Sequence, residues 1–105
     1  MALNALQEQR MKAIKLDAFL KKNGAAYKAM ATEAYAYTAK TLAPTKQTVR
    51  QDDVSGHLEA QIELDQGLKD FLARAHKSQQ YWTRYFTFLI LDVYWEELVD
   101  EYEPE

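Results

Sequence analysis

The chain has 105 residues, a formal net charge of −3, no cysteine, three glycines and two prolines. That length corresponds to one domain, large enough to bury a core without covalent staples; the missing cysteine excludes disulfides, zinc–thiolate centres and thiol catalysis. Scarce helix breakers among frequent alanine, leucine, lysine and glutamine favour helix throughout.

The opening stretch MALNALQEQR reaches Glu8 and Arg10 with no apolar run between them, so no signal peptide is expected. Together with the absence of cysteine this gives a cytoplasmic expectation. Asn4 with Gln7 has the spacing of a capping box and opens a first helix that runs to about Lys22. Leu6, Ala13, Leu16 and Leu20 form its expected apolar face. Lys21 and Lys22 suit its carbonyl end, and Asn23-Gly24 reads as a left-handed stop.

Residues 25–43 hold eight alanines in nineteen positions, an intrinsically helical composition. Tyr27, Ala31, Ala34, Thr38 and Leu42 make the expected packing face, which Tyr35 and Tyr37 cannot both share. Pro44 ends this element and opens a polar interhelix loop over about 44–52. Thr48 with Gln51, or an aspartate at 52 or 53, then starts a helix carrying Val54, Leu58 and Ile62. Asp65 would interrupt that apolar stripe, so it is expected to break the helix and cap the next one, which carries Leu68, Phe71, Leu72 and Ala75. Ser78 can cap a last helix that runs to about Tyr102, before Pro104.

This last helix contains YWTRYFTFLILDVYW, residues 81–95, with seven of the thirteen aromatics. Arg84 and Asp92 bracket its short apolar run, so it cannot span a bilayer, and no membrane association is expected. On a helical wheel Trp82, Phe86, Leu89 and Val93 lie on one side, and Tyr81, Tyr85, Phe88 and Trp95 on another. Only Thr83 and Thr87, continued by Ile90 and Tyr94, make a milder strip. A helix apolar all round is normally surrounded, either by its own chain or by another molecule. Arg84 and Asp92, the polar exceptions, are expected at its solvent edges or against opposite charges on neighbouring helices; the alternative is that they set orientation across an interface.

Charge is divided unevenly. Residues 1–50 carry nine Lys/Arg against three Asp/Glu, a balance of +6, whereas residues 51–105 carry four against thirteen, a balance of −9. The acidic residues gather in a C-terminal end at about 96–105, read as a solvated helix end. Lys12, Lys15, Lys21, Lys22 and Lys28 offer a basic surface for nucleic acid, spread around the helix and its turn instead of forming one stripe.

Chemistry-bearing patterns are sparse. Arg50 and His57 stand six residues apart, which resembles the Arg-x4–6-His motif of the HEPN ribonucleases. The resemblance covers eight residues. It implies an all-helical domain that dimerises and cuts RNA, with the imidazole moving a proton and the guanidinium holding the phosphate. Asp53 with His57, and Glu59 with Glu63, are helical neighbours that point to different sides, so no metal site is expected; His76 is placed at a helix end. No glycine-rich phosphate loop or nucleophile elbow occurs, and no cofactor is expected.

The sequence therefore predicts one all-α domain, residues 1–105, a compact bundle of four or five helices with the aromatic-rich C-terminal helix at its centre. The expected function is that of a small non-catalytic protein-interaction module, a subunit, adaptor or regulator, which self-associates as a homodimer. Tyr81, Trp82, Tyr85, Phe88 and Trp95 are the expected partner-binding residues, joined by the polar loop from Pro44 to His57. The +6/−9 division suits head-to-tail or antiparallel docking. The alternatives are a nucleic-acid-associated protein using the basic half, and a HEPN-like ribonuclease using Arg50 and His57 as catalytic pair.

Overall fold

The computed structural model describes residues 4–75 and 79–102, and among these every regular element is helical. Five α-helices follow in order: α1 (Ala5–Lys22), α2 (Gly24–Leu42), α3 (Gln51–Glu63), α4 (Gln66–Ala75) and α5 (Gln79–Tyr102). They form an all-α bundle in which α5 packs against each of the other four. The expected Ser78 cap, the placement of His76, the packing of Ala75 and the stop at Pro104 lie outside the described residues and side chains.

Local chemistry accounts for most helix ends. The Gln7 N–H donates to Asn4 Oδ1 at 2.8 Å and the Asn4 N–H donates to Gln7 Oε1 at 3.1 Å, a reciprocal capping box. After α2, Ala43–Thr45 make one 3₁₀ turn around Pro44, and Lys46 takes a left-handed conformation at φ 56°. Helix α3 starts from Arg50, whose N–H donates to the Asp53 carboxylate at 3.0 Å; the Thr48–Gln51 pairing expected from sequence does not form this cap. Asp65 breaks the chain between α3 and α4 and accepts the Leu68 N–H at 2.9 Å. The same carboxylate oxygen accepts the Tyr27 hydroxyl at 2.6 Å, which ties the start of α4 to α2.

Two expectations for α1 are corrected. Leu16 and Leu20 are buried, but Leu6 is 56% exposed, and residues 4–11 are exposed throughout. The first two turns of α1 stand clear of the packed body, and the molecule measures 55 × 24 × 23 Å. Asn23-Gly24 is not a left-handed stop: Asn23 has φ −117° and no described glycine has positive φ. Backbone bonding instead continues across the junction, with the Asn23 N–H on Phe19 O at 3.1 Å and the Tyr27 N–H on Asn23 O at 3.4 Å. Glycine leaves room at position 24, where a Cβ would fall 2.5 Å from the Tyr94 hydroxyl and would have to displace that side chain.

The core lies where α2, α3 and α5 meet. Tyr27, Ala31, Ala34 and Thr38 face inward as their spacing predicts, joined by fully buried Tyr35, while Tyr37 is 58% exposed. Val54, Leu58 and Ile62 from α3 meet Phe86, Ile90, Leu91 and Leu98 from α5, all of them buried. Aromatic edges interlock around α1: Phe19 stacks on Phe71 at 4.6 Å, and Tyr27 meets Phe86 edge-on at 4.9 Å.

Candidate interaction surface

Helix α5 divides into two unlike sides. Thr83 and Thr87, read from sequence as the milder strip, point into the bundle and are among the buried polar residues. The Thr87 hydroxyl is satisfied there by donating to the Thr83 carbonyl at 2.8 Å, so its burial leaves no orphaned polar group. With the threonines inward, the aromatic side turns out. Tyr81 is 54% exposed and Tyr85 37%, Phe88 and Leu89 are half-buried, and Asp92 is exposed.

These residues and Arg84 line a shallow groove of about 290 Å³, all of whose described lining comes from α5. Trp82 lies beneath this face at 5% exposure. Its indole meets the Tyr81 ring edge-on at 5.0 Å and the Tyr85 ring at 5.2 Å, holding both from below. Trp95 is half-buried against Tyr35 at 5.4 Å, and Tyr102 covers the same tyrosine at 5.4 Å. Of the five residues expected to bind a partner, Tyr81, Tyr85 and Phe88 line the groove, Trp95 continues the face, and Trp82 supports it from beneath.

The two charged residues flanking the aromatic run are both exposed. Arg84 Nε lies 3.3 Å from Glu59 Oε1 on α3. Among the described residues Asp92 has no ion-pair partner within the chain. The loop from Pro44 to His57 does not line the groove: Val49 is buried at 6% exposure, and the loop is already α3 from Gln51 onward.

Arg50 and His57 are placed on one helix, Arg50 exposed at its N-terminal boundary and His57 half-buried two turns on. The His57 ring stacks on Tyr37 at 4.4 Å with an interplanar angle of 11°. Its Nε2 is 3.2 Å from the Gln61 side-chain amide. The imidazole is thus held by two neighbours, neither of them Arg50. Among the described residues no three His, Asp or Glu side chains converge as metal ligands.

The basic residues of the first half separate by partner. Lys21 pairs with Asp17 at 3.3 Å, one turn back, and Lys28 with Glu97 of α5 at 3.0 Å. Glu97 also raises the Lys28 pKa by accepting that contact. Lys15 and Lys22 instead border a cavity of about 460 Å³ between α1 and α4, with Phe19, Phe71 and Arg74. Arg74 was not legible as part of this group, because 52 positions of sequence separate it from Lys22, and the Phe19–Phe71 stack that brings α4 against α1 has no signature in the sequence.

Among the described residues no helix is long and apolar enough to cross a membrane. Comparison with family models, with curated proteins and with solved structures found no match.

Proposed function

We propose that this chain is a non-catalytic protein-interaction module, a cytoplasmic subunit, adaptor or regulator that self-associates through the outer side of α5 and uses no cofactor. One observation carries the reading: the helix at the centre of the bundle leaves Tyr81 and Tyr85 open beside Phe88 and Leu89, an aromatic face that no described element covers. Exposed aromatics packed from below lose little conformational freedom on binding, and aromatic side chains dominate the centres of protein interfaces.

The reading is tested by light scattering coupled to gel filtration at rising protein concentration. Wild type is expected to pass from monomer to dimer, and Tyr81→Ser with Tyr85→Ser to remain monomeric while keeping its helical circular dichroism. A wild-type chain that stays monomeric at the highest soluble concentration overturns self-association.

A second reading has its own observation. Lys15, Lys22 and Arg74 surround stacked Phe19 and Phe71 with no acidic residue among the lining, a combination suited to nucleic acid. Salt-dependent binding of a labelled single strand, lost in Lys15→Glu with Lys22→Glu, would support it. Absence of binding at low salt would end it.

A further inference from the structure

The outer side of α5 carries a repeat that points to a specific occupant. Tyr81, Tyr85, Phe88, Asp92, Trp95 and Val99 follow one another at intervals of four, three, four, three and four residues. That is the heptad spacing of a helix–helix seam, and it keeps all six on one line along the helix. None of the six is fully buried within the chain. A second set of α5 residues, Phe86, Thr87, Ile90, Leu91 and Leu98, already serves the core. The helix therefore has one seam for its own bundle and a second on which Tyr81, Tyr85 and Asp92 stay exposed while Phe88, Trp95 and Val99 are only partly covered by the core.

Building on the self-association proposed above, we infer that a second copy of the chain occupies this seam, with its α5 antiparallel to the first and a two-fold axis passing at Phe88. The charges fix the direction. In a parallel pair each seam residue meets itself, so Asp92 would face Asp92 inside the contact, an unpaired like-charge arrangement that is costly to desolvate. The acidic residues Glu96, Glu97, Asp100 and Glu101 would also gather at one end.

In an antiparallel pair centred on Phe88, residues equally far before and after position 88 face each other. Arg84 of each copy then meets Asp92 of the other, twice by symmetry, and Tyr81 meets Trp95. The Arg84 guanidinium contacts Glu59 through Nε, which leaves its terminal nitrogens for a carboxylate across the seam. A two-fold axis near position 90 would instead set Asp92 against the Phe88 ring, so the charged pair selects one register. Such a polar position in an apolar seam commonly fixes register at some expense of affinity. On a larger length, α4 abuts the start of α5, where Gln80 and Thr83 share a cavity with Leu68 and Leu72. Arg74, in the last turn of α4, stands five residues before the start of α5, and antiparallel docking directs that end toward the acidic end of the partner.

The chain lacks cysteine, so single cysteines report the geometry directly. Phe88→Cys is expected to cross-link to itself under mild oxidation. Arg84→Cys and Asp92→Cys are expected to stay uncross-linked alone and to join when mixed. As an independent measure, Asp92→Arg should weaken dimerisation about tenfold or more, and Arg84→Asp with Asp92→Arg should restore most of the loss. Self-cross-linking of all three single cysteines would mean a parallel pair and overturn the inference. A dimer in which none of them cross-links and the charge exchange fails would also overturn it, while leaving self-association through another surface intact. A chain that is monomeric in light scattering removes both.

Discussion

Two contacts of single side chains decide how the start of α2 is held against its neighbours. Tyr27 is buried, and its hydroxyl donates to Asp65, which is already engaged in capping α4. Burial first, then the bond to Asp65 and repulsion from its charge, raise the Tyr27 pKa well above the ordinary tyrosine range. An unfolded tyrosine releases its proton near pH ~10, whereas the folded one keeps it. The contribution of this pair is therefore complete below about pH 10 and declines as pH rises above that value. Tyr27→Phe is expected to cost about 1–2 kcal/mol at neutral pH and to lessen the loss of stability between neutral and strongly alkaline pH, as followed by urea denaturation. An unchanged alkaline slope would show that Tyr27 is not the group responsible. The second contact is the Tyr94 hydroxyl against Gly24. Alanine is ordinarily the better helix residue by about 1 kcal/mol, but here its Cβ would fall 2.5 Å from that oxygen. Gly24→Ala is expected to destabilise by ~1–2 kcal/mol in wild type. In a Tyr94→Phe background the next atom is 3.8 Å away, so the same substitution should become neutral or stabilising. A denaturation cycle lacking that change of sign would disprove the steric account.

At the level of the helices, the sequence was most legible where one side chain forces one geometry. Asp65 could not sit in an apolar stripe, and it breaks the chain and caps α4 as its chemistry requires. Val54, Leu58 and Ile62 share a face because their spacing allows nothing else, and all three are fully buried. Legibility failed where two apolar faces compete. Leu6 matched the stripe of Leu16 and Leu20, yet no described element lies opposite the first turns of α1, and periodicity cannot reveal a missing neighbour. On α5 nearly every direction was apolar, so the four-three spacing of the outer seam was hidden by the inner one. The threonines of the milder strip could not be oriented for a related reason, since hydroxyls that bond the carbonyl one turn back can be buried without penalty. That argument predicts an order among substitutions. Thr87→Val removes a hydroxyl bond whose net contribution is about 1 kcal/mol, but the Thr83 carbonyl retains its helical N–H and no polar group is orphaned, so the cost should stay at or below ~1 kcal/mol. Thr87→Ser keeps the hydroxyl but removes a fully buried methyl, and should cost about 1 kcal/mol or more. If serine is tolerated better than valine, the hydroxyl and not the methyl holds this position.

For the molecule as a whole, the division of charge bears on association more than on folding. Were the basic and acidic halves arranged to neutralise each other within one chain, many ion pairs would cross between them. Among the described residues one pair that does so is Lys28 with Glu97, both of them substantially exposed, and exposed pairs contribute at most about 1 kcal/mol. Lys15, Lys22 and Arg74 instead stand together at the α1–α4 cavity, and Asp92, Glu96, Asp100 and Glu101 remain exposed along α5. Salt should therefore move the two equilibria differently. Screening shortens from about 10 Å at 0.1 M to 3 Å at 1 M ionic strength, which weakens attraction between the unlike ends of two copies. The apolar seam of Tyr81, Tyr85 and Phe88 is not weakened by sodium chloride. The expected result is a dimer whose Kd rises several-fold between low and high sodium chloride without vanishing, measured by sedimentation equilibrium. The thermal midpoint of the dilute monomer should change little over the same range. Dimerisation that strengthens steadily with salt would mean that like charges approach each other, as they would in a parallel pair. In that case Arg84 and Asp92 do not meet, and the two-fold axis at Phe88 has to be abandoned.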